Sequence, residues 1–334
     1  MYKKIFVSNR AGIGDVILTT PILKAVKTKF PDSHLIFMTG SNCAEVAKGL
    51  NFVDEVLLYN KNDKDNNSML NIVKKIWRSD IALMIDFKYR TAVMAFLAFI
   101  PIRAGLRHKR RLFMTNAVDK GNLWEKQYET LNYADIIRES TGMELAGDLT
   151  ELYVPDRTSD DIDFVNNLFE LTGIDNKKPI ITIAPFTSWE PKNWPVSNYN
   201  QLINQLKNRY DCNIVLIGDN QNFDKSIELE SASVKNLLGK TNLLQTVEII
   251  SRSQLVIGGC SAPLHMAAAT HTPVVGIYGP TSPDRWAPKK NSIIFYKRVS
   301  CSPCNEAMIG CKKKPCVLSI SVEEVFAACS KFLN

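Results

Sequence analysis

The sequence has no long apolar run. Its longest, Thr91 to Ile102 (TAVMAFLAFIPI), covers 12 residues, short of the ~20 helical residues that cross a bilayer, and suits a buried or interfacial helix. Nor does the N-terminus, MYKKIFVSNR, carry the apolar core of about 7 to 15 residues that marks a secretory leader. Polar Ser8, Asn9 and Arg10 close its short apolar stretch, which reads as a first β-strand of a cytoplasmic protein. Tracts rich in proline, glycine or serine are missing too, which excludes long disorder and fibrous architecture. No helix-turn-helix, zinc-finger or RNA-binding aromatic motif stands beside the basic residues, so a nucleic-acid partner is not expected.

What is present is an ordinary globular composition, with 45% hydrophobic and 22% charged residues over 334 positions. That length is about twice a common domain, so two domains of roughly 150 residues are expected. The net charge of +7 sits almost wholly in one half. Residues 1–150 hold 22 Lys and Arg against 16 Asp and Glu, whereas residues 151–334 hold 19 against 18. The excess peaks at Arg103, Arg107, Lys109, Arg110 and Arg111, with His108 among them. A solvated basic loop accounts for such a run, and so does a surface for anionic lipid or for an acceptor bearing phosphates or carboxylates.

Short β-branched runs alternate with amphipathic stretches through both halves, the pattern of parallel sheets with crossover helices. In the first half strands are expected at Lys4–Ser8, His34–Thr39, Glu55–Tyr59, Ile81–Asp86 and Arg103–Arg107. Helices fall at Val16–Phe30, Met69–Arg78, Arg90–Phe99 and Trp124–Thr141, and a linker follows near Asp156–Asp161. The second half repeats the alternation, with strands Ile180–Ala184, Ile214–Gly218, Leu255–Gly258 and Val274–Tyr278. Its helices are Asp161–Leu171, Asn198–Tyr210, Leu243–Ser253 and Ser261–Thr270, ahead of a C-terminal helix. The fold class is therefore α/β, with boundaries at 1–157 and 158–334. Two Rossmann-like domains facing a central cleft, the GT-B arrangement, fit this pattern, as does a single larger doubly wound enzyme.

Three segments carry chemistry. After the first strand comes Arg10-Ala11-Gly12-Ile13-Gly14-Asp15. Glycines at a strand-to-helix turn let a ligand approach the backbone, but Ile17 stands where a dinucleotide fingerprint wants its third glycine, which argues against a nicotinamide or flavin site. Asp15 is left at the carboxyl edge of the sheet, as a functional carboxylate or as an acid favoured by the helix dipole. After a strand of the second half, Thr187, Ser188 and Lys192 offer hydroxyls and a cation to a phosphate, in a loop whose tryptophans also suit packing on a domain edge. The third segment, Gly258-Gly259-Cys260-Ser261-Ala262-Pro263-Leu264-His265, turns from strand into helix with proline near its first position. Free N–H groups of Ser261 and Ala262 would make an anion site there, with His265 on the same turn as a ligand contact or a satisfied core residue.

In this order the segments resemble glycosyltransferase family 9, the ADP-heptose:lipopolysaccharide heptosyltransferases. The resemblance rests on Gly14-Asp15 with Thr20-Pro21, on Lys192-Asn193-Trp194-Pro195, on Cys260 through His265, and on Pro273-Val274-Val275-Gly276-Ile277-Tyr278-Gly279-Pro280-Thr281. It covers nearly the whole chain. It implies a GT-B enzyme whose N-terminal domain binds the acceptor and whose C-terminal domain binds a nucleotide-diphosphate sugar. Sugar transfer would proceed with inversion, by default of heptose from ADP-heptose, to a lipopolysaccharide core or another anionic, lipid-linked surface glycan at the inner membrane.

Asp15 then resembles the general base, Lys192 the cation on the diphosphate leaving group, and Gly12 and Gly14 the acceptor turn. Thr187, Ser188, Cys260, Ser261, Ala262 and His265 fall to the donor, and Asp219 or Asp224 to its ribose. No catalytic metal is implied, and no D-x-D cluster lies near these loops. One departure is chemical: the family has Asp where this chain has Cys260, and Gly where it has Ala262. A thiol cannot present charged oxygens to sugar hydroxyls or to Lys192. A different nucleotide sugar, or a nucleotide-sugar-binding module without catalysis, is the alternative. Finally, Cys301, Cys304, Cys311 and Cys316 are spaced for a structural zinc or iron, or are free thiols, since stable disulfides are disfavoured in the cytosol.

Overall fold

The structure is a computed structural model describing residues 2–60, 68–119, 121, 126–229, 234–304, 311 and 313–334. The chain divides into two compact units, Met1–Asp156 and Arg157–Asn334.

In the first unit the elements run β1 (Lys4–Ser8), α1 (Ile13–Lys29), β2 (His34–Thr39), α2 (Ala44–Ala47), β3 (Glu55–Leu58), α3 (Met69–Lys75) and β4 (Ile81–Met84). They continue with α4 (Tyr89–Leu97), β5 (Ile102–Leu106), β6 (Asn116–Val118) and α5 (Glu129–Thr141). Every strand pairing is parallel, in the order β3-β2-β1-β4-β5-β6. Helices on both faces explain why β1, β2 and β4 read as near-continuous apolar runs rather than alternating ones.

The second unit contains α6 (Ser159–Thr172), β7 (Ile180–Ala184), α7 (Val196–Arg209), β8 (Asn213–Leu216), α8 (Phe223–Ser226), β9 (Val234–Asn236), α9 (Leu243–Ser251) and β10 (Leu255–Gly259). Then follow α10 (Ala262–Ala269), β11 (Val274–Tyr278), α11 (Pro283–Trp286), β12 (Ser292–Tyr296), α12 (Pro315–Leu318) and α13 (Val322–Leu333). Its sheet is again all parallel, in the order β12-β11-β10-β7-β8-β9. Counted within the unit, that is the same 3-2-1-4-5-6 order as the first. Each sheet thus reverses direction between its first and fourth strands. In open α/β sheets ligands bind at the carboxyl ends of the strands at this switch.

Several expectations need correction. The segment Thr91–Ile102 is not one helix. α4 ends at Leu97, Phe99 takes φ 54°, and Ile102 already belongs to β5. The chain near Asp156–Asp161 is less open than a linker, because Thr158 caps α6 and Asp161 closes a reciprocal capping box with it. Of the expected helix Trp124–Thr141, Trp124 and Glu125 lie outside the described residues, and the observed helix starts at Glu129. Strands β6, β9 and β12 went unforeseen. All three are edge strands, and β6 and β9, of three residues each, are too short for a periodicity to register.

Candidate functional site

The carboxyl edge of the first sheet gathers charge. After β1 the chain turns through Arg10 to Gly12 into α1, and Asp15 occupies the third helical position. Its Oδ2 accepts a hydrogen bond from the Gly12 N–H at 3.1 Å, so the carboxylate and the turn hold each other. Asn9 stiffens this turn. Its amide donates to Thr19 Oγ1 at 2.8 Å and its oxygen accepts from the Ala11 N–H. Buried Cys43 also lies within electrostatic reach of Asp15. Burial, with the Asp15 charge adding and Thr39 opposing, pushes its thiol up to about 11, so it stays neutral.

Beyond β4, Asp86 is buried with one oxygen on the Lys88 N–H at 2.9 Å and the other on the Arg10 N–H at 3.1 Å. Arg110 approaches it to 3.7 Å. Burial raises the Asp86 carboxyl, and the two amides and the Arg10 and Arg110 guanidinium groups act in the opposite direction.

The basic run that sequence treats as one surface is split by the fold. Arg110 is fully buried, with Nε and Nη2 donating to the Leu106 carbonyl. Arg103 donates to the carbonyls of Ile100 and Phe113 and stacks over Phe96, which ties the loop after β5 to α4. Arg107 pairs with Asp119 at 3.2 Å. Only Lys109 and Arg111 present cations outward, beside His108 and a Leu112 that is 89% exposed. Phe87, Tyr89 and Phe96 are also substantially exposed here, packed edge-on against His108 and Phe113.

In the second unit the loop after β7 is anchored by Trp194. Its ring is buried against Tyr199, and its Nε1 donates to the Ile320 carbonyl at 3.0 Å. Two residues earlier, Lys192 extends its Nζ to the Cys260 carbonyl at 3.4 Å. Gly258 and Gly259 allow this close approach. A Cβ on Gly258 would stand 2.8 Å from the Ala184 carbonyl, and one on Gly259 would stand 3.1 Å from the Thr187 methyl. Thr187 itself is occupied within the loop, bonding Trp189 and Asn193, so it is a loop brace rather than the open phosphate donor expected. Ser188 is exposed.

Ser261 is the N-cap residue of α10, yet its hydroxyl turns back to the Gly259 carbonyl and caps no helix amide. The helix start is therefore open toward an anion. Asp219 and Asp224 are exposed beyond β8, and Asp219 accepts from the Gln221 N–H.

His265 is buried on α10 with Nδ1 lacking a partner among the described residues. Burial first, and then the charge of Lys192, push its pKa from 6.5 down to about 4. A base depressed in this way is neutral when folded but protonated when unfolded. Its contribution to stability is therefore complete above pH 6.5 and is lost as pH falls toward 4, by roughly 3 kcal/mol. Urea unfolding at pH 7 and at pH 4.5 should show this loss, and His265→Gln should flatten it. An unchanged slope in the variant would assign the loss to other groups.

A family comparison places the chain that carries these two edges. The model of glycosyltransferase family 9 (heptosyltransferase) matches residues 69–315. The chain belongs to glycosyltransferase family 9. Among curated relatives of this family 9 protein is lipopolysaccharide heptosyltransferase 2 of Escherichia coli K12, 26% identical over 299 residues and covering 84% of each chain. Among solved structures, a family 9 glycosyltransferase of Veillonella parvula superposes with a TM-score of 0.84 at 20% identity, over 99% of this chain and 97% of the other. The ADP-heptose heptosyltransferase II of E. coli gives 0.79 at 19% identity, over 99% and 98%. At such identities the superpositions establish the fold, two Rossmann-like units of the GT-B type.

At Cys260, where the family pattern has Asp, the contact with Lys192 is made by the backbone. Cys260 is buried at the end of β10, and it is its carbonyl rather than its side chain that meets the ammonium. The terminal thiols lie within electrostatic reach of one another, Cys304 of Cys301 and Cys311, and Cys316 of Cys304 and Cys301. Cys304 Sγ donates to the Cys301 carbonyl, Cys316 is buried where a Cβ on Gly279 would touch its sulfur, and no group of three or more metal-ligating side chains occurs among the described residues.

Sequence reasoning passed over Arg10, Tyr59 and Asp86 in this family 9 chain, and over Thr281, whose buried Oγ1 has no partner among the described residues. The available signal was position. Arg10, Tyr59 and Asp86 each lie within two residues of a strand's carboxyl end, and Thr281 lies three residues past one.

Proposed function

We propose that the protein is an inverting heptosyltransferase that moves heptose from ADP-heptose to the anionic, lipid-linked core of a lipopolysaccharide. The observation that carries this reading is Lys192, delivered by a Trp194-anchored loop to the open start of α10. An ammonium beside unfilled helix amides suits a diphosphate. The E. coli relative's name supplies the sugar and the acceptor.

In this mechanism Asp15 takes the proton of the acceptor hydroxyl. The oxygen bonds to the anomeric carbon from the face opposite the nucleotide, the bond from that carbon to the diphosphate oxygen breaks, and ADP departs with inversion. Lys192, the amides of Ser261 and Ala262, and Ser188 receive the charge that develops on the diphosphate. His265, neutral and buried, lines the donor, and Asp219 or Asp224 meets the ribose. The arrangement supplies by side chain and helix start the neutralisation that a divalent ion supplies elsewhere, so turnover should persist in chelator.

Gly12 and Gly14 form the acceptor turn, the first unit (Met1–Asp156) being the acceptor domain and the second (Arg157–Asn334) the donor domain. Lys109 and Arg111, beside exposed Leu112 and Phe87, suit peripheral contact with an anionic inner-membrane surface from the cytoplasmic side. No helix among the described residues is long and apolar enough to cross a membrane.

Cys260 favours one second reading, a family member that takes another nucleotide sugar or binds it without transfer. A thermal-shift series identifies the donor, and ADP release that requires acceptor tells transfer from binding alone. ADP and ADP-heptose at about 100 times their Kd should stabilise the protein by about 2.7 kcal/mol, a shift of several degrees, while UDP and GDP sugars do little. Stabilisation by a UDP or GDP sugar instead would reassign the donor.

A further inference from the structure

The carboxyl edge of the first sheet holds more positive charge than its known duties use. Arg10 leaves β1 with its guanidinium carbon 4.5 Å from the centre of the Tyr59 ring. Arg90, at the start of α4, donates from Nη1 to the hydroxyl of the same tyrosine at 3.1 Å. Tyr59 is itself buried, one residue past β3. One aromatic ring thus holds two cations, the first over its face and the second on its hydroxyl. Arg90 is close enough to disfavour the charge of Arg10.

Asp86 is the carboxylate that Arg10 faces, and it is already engaged by Arg110 and by the N–H groups of Lys88 and Arg10. Nε and Nη1 of Arg10 are buried and have no hydrogen-bond partner among the described residues. Two cations on one tyrosine, the stacked one with unfilled donors, have room for a further anion. The same turn carries Asp15 five residues on.

We propose that Arg10 and Arg90, braced by Tyr59, recognise an anionic oxygen group, phosphate or carboxylate, on the acceptor close to the hydroxyl that is glycosylated. This rests on the acceptor being anionic, and it moves acceptor recognition from the Arg103–Arg111 run to the edge of the sheet. Charge-assisted hydrogen bonds of this kind are strong and geometrically selective. Arg10 thereby sets which acceptor is taken, while Asp15 performs the proton transfer.

The test is steady-state kinetics of the full-length protein with ADP-heptose and a lipid A-type acceptor extended by carboxylate-bearing sugars, in three forms: intact, phosphatase-treated and carboxyl-amidated. Arg10→Gln should raise the acceptor KM about 10- to 100-fold and leave the donor KM unchanged. Arg10→Lys should recover part of the loss. The penalty should vanish for the one acceptor form that lacks the recognised group, which also tells phosphate from carboxylate. Arg90→Gln, at an exposed position, carries the same test should Arg10→Gln fail to fold. A KM unchanged in both glutamine variants, or an equal penalty with all three acceptors, would overturn the proposal and make Arg10 a brace for Asp86.

Absence of wild-type turnover would refute the transferase reading rather than this one. Calorimetric titration of the intact acceptor into wild-type and variant protein then decides: weaker binding to Arg10→Gln supports the site, and equal binding overturns it.

Discussion

Asp15→Asn should lower kcat by roughly 10²- to 10⁴-fold, the range expected on loss of a general base, with donor affinity unchanged. The substitution is chosen for its geometry. Asp15 Oδ2 accepts the Gly12 N–H at 3.1 Å, and an asparagine oxygen can do the same, so the entry to α1 stays capped while the proton acceptor is lost. The neighbouring Cys43 thiol cannot stand in as a base, since burial, the largest cause of its raised pKa and one the substitution leaves in place, keeps it protonated. ADP release in the presence of acceptor measures the effect, and the melting temperature with ADP bound checks the fold. Activity within about threefold of wild type would remove Asp15 from the chemistry.

The second large effect falls on Lys192. Lys192→Ala should cost roughly 10²- to 10³-fold in kcat, as expected when a preorganised group facing developing charge is removed. Its ammonium lies 3.4 Å from the Cys260 carbonyl, and among the described residues no carboxylate pairs with it. Most of its charge is therefore available to a leaving diphosphate. Because a carbonyl and not an aspartate holds it, Cys260→Asp should draw Lys192 into an ion pair and alter the donor KM more than kcat. A Lys192→Ala enzyme of unchanged kcat but raised donor KM would show that the lysine serves binding alone.

The central strands were legible in the sequence because their apolar runs are bounded by glycine and polar turns. Ile180–Ala184 and Val274–Tyr278 have the bounds expected of them. The two candidate edges were chosen for a related reason: Asp15 lies in the first turn of the helix after β1, Lys192 and Ser261 lie in the connections after β7 and β10, and a doubly wound sheet binds ligands at such carboxyl ends. What could not be read was partnership. Charge density gathered Arg103 to Arg111 into one surface, yet carbonyls of Ile100, Phe113 and Leu106 take up Arg103 and Arg110. Thr187 has the side chain of a phosphate donor, but Asn193 lies in reach and takes it. Arg10, Tyr59 and Arg90 are far apart along the chain and meet only because β1, β3 and β4 end on the same edge.

The most direct test of the account is to incubate the full-length protein with ADP-heptose and a lipid A-type acceptor, follow ADP release, and determine the anomeric configuration of the product. The account predicts release that depends on acceptor, transfer of one heptose with inversion, and loss of both with Asp15→Asn. Tight ADP-heptose binding with no transfer, or transfer with retained configuration, would contradict it.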